Sequence, residues 1–394
     1  MRGALAFALT VFGSANGIIY GVFPLAGRAI GLAEWQVGLI FTISAAGQML
    51  TAPHWGRYSD RHGRRRVIVL GLSAFAIGSI LFGLTMDLGL GHVVAATTAW
   101  IGFIVIRLSM ASVLGGMFPA AQAFIADRAP PQTRAVALSG IIAAFALGNV
   151  LGPAGAAMLT PFGLAVPIYV SACIGAVAAV TVWRLLPAEK SRIHVDRPAL
   201  RLGDARVRLW IAVGFGYFVC VGGGLQILGF VIQDQLHLDL LGGAKYTSLL
   251  LMLTGAVAVF FQVVVLRRLR PGARAMLALG LVSATIVYAT FGFCTEIWQV
   301  MVLSIPFGTA FACVQPGFSA SASLAVRGDE QGAVAGLIAS AQACGFLVGP
   351  ILFGGLYQLE PLAPLLVAAC ICATLVVLAQ ANSAARRGTL NPAE

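Results

Sequence analysis

The chain has 394 residues, of which 59% are hydrophobic and only 10% are charged, and its formal net charge is +11. So few charged residues cannot cover a water-soluble globule of this length, so the composition excludes an ordinary soluble protein. Most of the surface must therefore be solvated by lipid.

Apolar runs of about 20 residues recur along the whole chain, which is the length that crosses the hydrocarbon core as an α-helix. The runs lack the period-two alternation of membrane β-strands, and in lipid only helices and closed barrels satisfy their own backbone groups. We therefore predict an all-α integral membrane protein of the following twelve transmembrane helices: 4–29, 36–55, 67–86, 97–126, 136–159, 164–186, 207–233, 246–266, 274–293, 297–324, 332–357 and 362–381.

The basic residues are concentrated between these spans. With the N-terminus placed in the cytoplasm, every Lys and Arg lies in a cytoplasmic loop or helix end except Arg28, Arg107 and Lys245. This distribution follows the positive-inside rule. It predicts a multi-pass protein of the inner (cytoplasmic) membrane with both termini in the cytoplasm, and it makes membrane lipid, not nucleic acid, the partner of the positive charge. We also predict a monomer.

A polar stretch near the middle of the chain separates two groups of six spans. Four residues of the first half recur in the second at one offset of 197 positions (316 minus 119, for example): Pro119, Gly148, Gly152 and Pro153 return as Pro316, Gly345, Gly349 and Pro350. A single offset predicts duplicated six-helix halves around a central cavity. We assign residues 1–186 to the N-terminal half, 187–206 to a cytoplasmic linker, 207–381 to the C-terminal half and 382–394 to a cytoplasmic tail.

The loop between the second and third spans reads GRYSDRHGRRR from residue 56 to residue 66. Its spacing, Gly-x-x-x-Asp-Arg-x-Gly-x-Arg-Arg, resembles the loop signature of the major facilitator superfamily at every position. The first glycine allows two helices to approach closely, the second permits a tight turn, and the aspartate can face a helix N-terminus or a cation. The resemblance implies a twelve-helix facilitator fold with a cytoplasmic gate at Gly56, Asp60, Arg61, Gly63 and Arg64.

Arg107 is the only basic residue well inside a predicted span, about 15 Å from the periplasmic end at 1.5 Å per residue. A guanidinium at this depth should face the cavity and be paired, since burying it alone is costly. The segment from Arg107 to Asp127 resembles the conserved-Arg motif of drug and proton antiporters, with Ala111 where the family has Gly. The resemblance implies that Arg107 acts in substrate and proton coupling and that Asp127 joins Asp60 and Arg64 in the gate. A purely structural pairing of Arg107 stays an alternative.

The fifth span resembles the antiporter motif of efflux members, Gly-x-x-x-Gly-Pro followed by small residues, at Gly148, Gly152 and Pro153. Small residues let helices touch, and the proline bends its helix. The eleventh span repeats the pattern at Gly345, Gly349 and Pro350, so part of the signal is helix packing. On balance, the resemblance favours export over uptake.

The remaining candidates for substrate contacts are polar and aromatic residues within the spans. In the first span, Asn16, Tyr20 and Phe23 share one helical face because they lie at i, i+4 and i+7. Together the candidates describe a mostly neutral, aromatic cavity with one cation, suited to amphipathic molecules or organic anions. The predicted substrate-binding residues are Asn16, Tyr20, Phe23, Arg107, Tyr217, Gln226, Gln315 and Gln342.

The sequence lacks the motifs of metal binding, nucleotide binding and catalysis. The seven cysteines have no metal-ligand spacing, no Gly-Lys-Ser/Thr phosphate loop is present, and no His/Asp/Glu cluster lies within the spans, so we predict neither an enzyme nor a cofactor. The resemblance implies that the proton gradient drives transport. However, no Asp or Glu lies deep within a span, and the basic loop at residues 267–272 has no aspartate, so the halves are not equivalent gates.

We therefore predict a secondary active transporter that exports amphipathic small molecules by alternating access, similar to the drug and proton antiporter group that includes tetracycline exporters. The alternative is a dedicated exporter or importer of one anionic metabolite, with Arg107 as its counter-ion. A third interpretation is a non-transporting receptor or scaffold, and the absence of an appended soluble domain counts against it.

Overall fold

The computed structural model describes residues 2–130, 134–187, 204, 206–327 and 330–388, and this part of the chain contains helices and no strands. The all-α prediction is thereby confirmed. The twelve long helices are α1 (Arg2–Ile30), α2 (Glu34–His62), α3 (Arg64–Leu90), α4 (Ala96–Ala126), α5 (Arg134–Leu159), α6 (Val166–Leu185), α7 (Arg208–Gln235), α8 (Leu240–Leu269), α9 (Ala273–Phe291), α10 (Ile297–Ser323), α11 (Gln331–Leu359) and α12 (Ala363–Gly388).

Among the described long helices, α2 alone is too polar to be recognised as a span by its hydropathy, although its length of 29 residues equals that of α1. Part of this polarity serves helix contacts in the interior. The Thr42 hydroxyl donates to the backbone oxygen of Leu347 on α11, and the Ser44 hydroxyl oxygen accepts from Arg107 on α4. The rest lies toward the end of α2, where His54, Arg57 and Arg61 are exposed.

Three helices are interrupted: α4, α8 and α10, the last at Leu303 between Ile297–Val302 and Ser304–Ser323. α4 consists of Ala96–Leu114 and Met117–Ala126, because Gly115 and Gly116 form a turn between them. A side chain at Gly116 would overlap Trp55 of α2, so only glycine allows this approach. In α8, residues Phe261–Val265 form a π-turn before the helix resumes.

In the N-terminal half, glycines pack α5 directly onto α1. A Cβ atom at Gly148 would overlap the carbonyl oxygen of Thr10, and one at Gly152 would overlap the carbonyl oxygen of Ser14. Backbones that touch in this way gain van der Waals contact without a hydrophobic driving force, which lipid does not supply.

The C-terminal half repeats this arrangement between α11 and α7. A Cβ atom at Gly345 would overlap the side chain of Phe218, and one at Gly349 would overlap the carbonyl oxygen of Val219. The repeated Gly-x-x-x-Gly-Pro pattern therefore packs the fifth helix of each half against the first.

The buried apolar residues form two clusters. One joins the C-terminal half to that part of the N-terminal half that includes Phe23, Phe41, Phe82 and Phe103. The other contains only residues of the N-terminal half, from Ala4 on α1 to Leu186. The halves thus share an apolar core at one end of the bundle only.

Most of the predicted linker and half of the predicted tail lie outside the described residues. Of residues 187–206, only 187, 204 and 206 are described, and α12 runs on to Gly388 within the predicted tail. The four-part division of the chain stays a prediction.

Candidate functional site

The two ends of the bundle differ in charge. We call the end at which α2 meets α3, with Arg61 and residues 64–66, the basic end, and the other the opposite end. At the opposite end, Arg28 of α1 joins the two halves. Its guanidinium pairs with Glu34 of its own half at 2.9 Å and with Asp234 of the other half at 2.7 Å.

Aromatic and amide side chains complete this network. The Tyr357 hydroxyl donates to the second carboxylate oxygen of Asp234 at 2.7 Å, and the Gln233 amide oxygen accepts from Arg28 at 3.3 Å. The guanidinium carbon of Arg28 also lies 4.4 Å from the ring centroid of Phe230, within the range of cation–π attraction. Four helices from both halves therefore meet at one arginine.

Close backbone packing reinforces this end. A Cβ atom at Gly38 of α2 would overlap the carbonyl oxygen of Pro350 of α11, and one at Gly354 would lie 2.6 Å from the carbonyl oxygen of Glu34. The Gln226 amide donates to the same Glu34 oxygen at 3.2 Å. We call these contacts, with the Arg28 network, the seal.

The structure describes contacts between the halves at the opposite end, in the seal and around Leu25 of α1, and near the middle of the bundle. Gly21 of α1 approaches Ser248, and Gly255 of α8 approaches Val150 of α5. Beyond them toward the basic end, Asn16 and Gln315 are exposed although each lies within a long helix. The cleft between the halves is therefore closed at the opposite end and opens toward the basic end.

Arg107 lies in this cleft, next to the seal. Its Nε donates to the Ser44 hydroxyl at 3.1 Å, and Ser44 lies two residues beyond Thr42, which contacts α11. The guanidinium carbon is 5.9 Å from the ring centroid of Phe41. The arginine is half-buried, and no carboxylate of the described residues forms an ion pair with it.

One aromatic ring, that of Tyr20, lines the wall beside Arg107. It is stacked on the buried Phe41, with centroids 4.7 Å apart and planes at 7°. Asn16 lies one helical turn from Tyr20 toward the basic end, on the same face of α1. The structure thus brings together Asn16, Tyr20 and Arg107 of the predicted binding residues, and places the buried Phe41 and Ser44 directly behind them.

Three predicted binding residues lie elsewhere. Phe23 is 1% exposed and packs against the aromatic rings of the N-terminal half. Tyr217 is 2% exposed within the C-terminal half, and Gln226 is fully buried in the seal. In this state of the molecule the three side chains lie outside the cleft, because the helical faces that carry them turn toward neighbouring helices. Their role as substrate contacts stays a prediction.

Two further candidates, Gln315 and Gln342, are accessible. Gln315 is exposed on α10, and it shares a helical face with Gly308, seven residues earlier, which packs on α8. Gln342 is half-buried on α11. Their role as substrate contacts stays a prediction.

The basic end carries the predicted gate residues. The Arg64 guanidinium lies 2.7 Å from the carboxylate of Asp60 and 3.5 Å from that of Asp127, so α2, α3 and the end of α4 meet there. Gly63 forms the predicted tight turn, as the only residue between α2 and α3, with φ of 92°. A residue with a side chain is strained at that φ. Arg61 is exposed beside this cluster.

Gly56 differs from the expectation that it allows a close helix approach. A Cβ atom there would find nothing within 4 Å, because α2 has no neighbour on that side at this level. The glycine is therefore not required for packing in the state described here.

The C-terminal half has a second charged cluster at the basic end. Arg206 pairs with Asp204 and, through both of its terminal nitrogens, with Glu330 at the start of α11. These hydrogen bonds lower the pKa of the Asp204 carboxyl from 3.8 to about 2 and lower the pKa of Glu330 as well. The sequence predicts unequal gates because the basic loop at residues 267–272 has no aspartate. The two acids of this cluster, Asp204 and Glu330, come from other segments of the chain.

Sequence reasoning missed the seal. Arg28 was one of three basic residues outside the positive-inside pattern, and an arginine that breaks this pattern is a usable signal for a specific partner. Asp234 gave no sequence signal because its partner lies 206 residues away along the chain. The partners of Arg107, Ser44 and Phe41, were also not recognisable, since serine and phenylalanine are common in any membrane helix.

Comparison with known proteins gives a consistent picture. A family model described as Major Facilitator Superfamily matches residues 5–291. Among curated proteins, Multidrug resistance protein 2 of Bacillus subtilis is 24% identical over 361 residues, covering 87% of this chain and 85% of that protein. Quinolone resistance protein NorA of Staphylococcus aureus is 22% identical over 378 residues, covering 92% and 91%.

Among solved structures, a bacterial homolog of the human lysosomal transporter Spinster, in an inward-facing and occupied conformation, superposes with a TM-score of 0.69. It is 16% identical, and the match covers 98% of this chain and 96% of that one. At this identity the likeness concerns the fold alone.

Proposed function

Because this chain belongs to the Major Facilitator Superfamily and is therefore a membrane transporter and not an enzyme, we propose that it exports amphipathic small molecules from the cell. The observation that carries the proposal is the wall of the cleft, where the Tyr20 ring, stacked on the buried Phe41, lies beside the half-buried Arg107. Such a wall offers apolar contact over an area and few polar groups, as amphipathic ligands require. The curated relatives named for multidrug and quinolone resistance support export.

In the proposed transport cycle, the two ends of the bundle open and close in turn. In the state described here the seal closes the opposite end, and substrate enters the cleft from the basic end. The seal then opens while the basic end closes, as the halves rock about the contacts near the middle. Asp60, Arg64 and Asp127 hold α2, α3 and α4 together at the basic end and form the gate residues of this half.

The orientation and the driving force are part of the proposal. The basic end faces the cytoplasm by the positive-inside rule, so both termini are cytoplasmic and the membrane is the inner one. The proton gradient drives export, as the resemblance to drug and proton antiporters implies. The protein works as a monomer in contact with lipid.

The test is export from inside-out membrane vesicles prepared from cells that express the protein. Vesicles with an acidic lumen should accumulate a fluorescent amphipathic compound, and collapse of the pH gradient by a protonophore should stop accumulation. Vesicles from cells that express Arg107→Ala measure the contribution of the cleft. Accumulation equal to that of vesicles without the protein would contradict the proposal.

A further inference from the structure

The charge of the cleft is determined by one residue. Each described carboxylate lies outside the helices or within a few residues of a helix end, including Glu34, Asp60, Asp87 and Asp234. Arg107 lies eleven residues inside α4, about 16 Å from its start at 1.5 Å per residue. In the described part of the chain, the middle of the bundle therefore carries a single positive charge.

The partners of Arg107 leave that charge uncompensated. Its hydrogen bond uses Nε and goes to the neutral Ser44 hydroxyl, and no described residue accepts from either terminal nitrogen. The two terminal nitrogens are not fully buried, so they reach the open cleft. A guanidinium presents its two terminal nitrogens as a fork that fits a carboxylate, sulfonate or phosphate group.

The surroundings of this fork suit the remainder of an amphipathic anion. The Tyr20 ring, backed by the buried Phe41, forms an aromatic surface beside the guanidinium, and the Asn16 amide lies one turn further toward the open end. An acidic group at the terminal nitrogens would place an attached apolar body along the Tyr20 ring. A cationic ligand would meet the uncompensated charge of Arg107 in a medium of low dielectric constant, where repulsion is strong.

We propose that the Arg107 site takes amphipathic molecules with one negative charge, and that the membrane potential adds to the proton gradient in driving their export. This inference rests on the proposed export function and specifies its substrate class. The loaded cleft, with Arg107 and one anion, carries no net charge, whereas the empty cleft is positive. Each cycle moves one negative charge outward, which a cell interior at negative potential favours, whether or not a proton moves inward.

The experiment uses three probes of one skeleton that differ in charge: pyrenebutyrate, pyrenebutanol and pyrenebutylamine. Liposomes that contain the full chain are loaded with each probe, and an inside-negative potential is imposed with valinomycin and an outward potassium gradient. Pyrenebutyrate should leave severalfold faster with the potential than without it, and faster than the other two probes. Arg107→Gln should reduce its efflux at least about tenfold, and Arg107→Lys should retain part of it.

Two controls keep the result interpretable. Arg184→Gln removes an exposed arginine at the end of α6 and should leave efflux unchanged. Should Arg107→Gln fail to fold, Ser44→Ala tests the same site, because loss of the Nε partner should lower the affinity for pyrenebutyrate by about threefold to tenfold. Thermal stabilisation by pyrenebutyrate measures that affinity without transport.

The outcomes separate this inference from the export function. Preferred transport of pyrenebutylamine or pyrenebutanol, or pyrenebutyrate efflux that ignores the potential, would overturn the inference and leave an exporter of amphiphiles. If the protein moves none of the three probes in any condition, both the inference and the export function fail.

Discussion

At the opposite end, Arg28 pairs with Glu34 of its own half and Asp234 of the other. At the basic end, the ion pairs that the structure describes stay within a half: Arg64 with Asp60 and Asp127, and Arg206 with Asp204 and Glu330. The difference shows which ion pairs have to break during the transport cycle. Pairs across the halves must break when the seal opens, whereas pairs within a half can move with it as a unit.

The largest effect should come from Asp60→Asn at the basic end. The variant keeps the shape of the side chain but removes the charge that pairs with Arg64, so α2 loses its ion pair with the start of α3. Transport in vesicles should fall at least about a hundredfold, while the amount of protein in the membrane stays the same. Asp60→Glu retains the charge and should recover part of the activity. Full activity of Asp60→Asn would show that the basic-end cluster has no part in transport.

A substitution in the seal should have the next largest effect. In Gly354→Ala, the new methyl group would lie 2.6 Å from the Glu34 carbonyl oxygen, whereas in the neighbouring Gly355→Ala it would find nothing within 4 Å. Overpacking of this kind costs about 1–3 kcal/mol, which moves the population away from the sealed state by roughly fivefold to a hundredfold. Gly355→Ala is the matched control.

Labelling measures this shift. A cysteine at Val37, which is fully buried beside the seal, should react with a membrane-impermeant maleimide from the opposite side faster in Gly354→Ala. The exposed Cys173 and Cys370 are replaced by serine in this background. Equal rates in the two glycine variants would mean that the close approach of α11 to α2 does not hold the opposite end shut.

Arg28→Gln should weaken the seal less strongly. The variant loses both ion pairs, but Asp234 keeps its hydrogen bond from Tyr357 and the backbone contacts of the seal remain. Because all three charged side chains are partly exposed, the loss should be about 0.5–1.5 kcal/mol, equivalent to roughly two- to tenfold faster labelling of the cysteine at position 37. A rate below that of the unsubstituted protein would contradict the role of Arg28.

The smallest effect should come from Asp204→Asn, since the Arg206 cluster is exposed and lies within one half. Pairing with Arg206 lowers the pKa of Asp204 from 3.8 to about 2, so the folded state is favoured above pH 4 and this contribution is lost as the pH falls to about 2. The variant should have a slightly lower Tm than the wild type at pH 7, and the difference should shrink at pH 3. A difference that grows on acidification would contradict this pairing.

The sequence predicted much of the fold and only part of the site. Hydropathy, the positive-inside pattern and the offset of 197 positions depend on local composition and on duplication, so twelve helices in two halves could be predicted. Gly148 and Gly345 have packing roles that follow from their spacing alone. The turn at Gly63 and the meeting of Asp60, Arg64 and Asp127 were also indicated, because the loop is short and its resemblance is specific.

The rest depends on helix rotation and on distant pairing. Tyr217 and Gln226 lie within predicted spans like Tyr20, but only the rotation of α7 turns them into the C-terminal core and the seal. The contact between Arg28 and Asp234 joins residues from the two halves, and no local pattern encodes it. The open space beside Gly56 is a property of one conformational state, which a single sequence cannot reveal.

The most direct test of the account is the distance across each end, measured by spin-label spectroscopy. One label pair at residues 61 and 268 spans the halves at the basic end, and another at residues 93 and 359 spans them at the opposite end. The account predicts that Gly354→Ala lengthens the distance between 93 and 359 and shortens that between 61 and 268, relative to Gly355→Ala. Distances that stay the same, or that change in the same direction at both ends, would contradict alternating closure of the two ends.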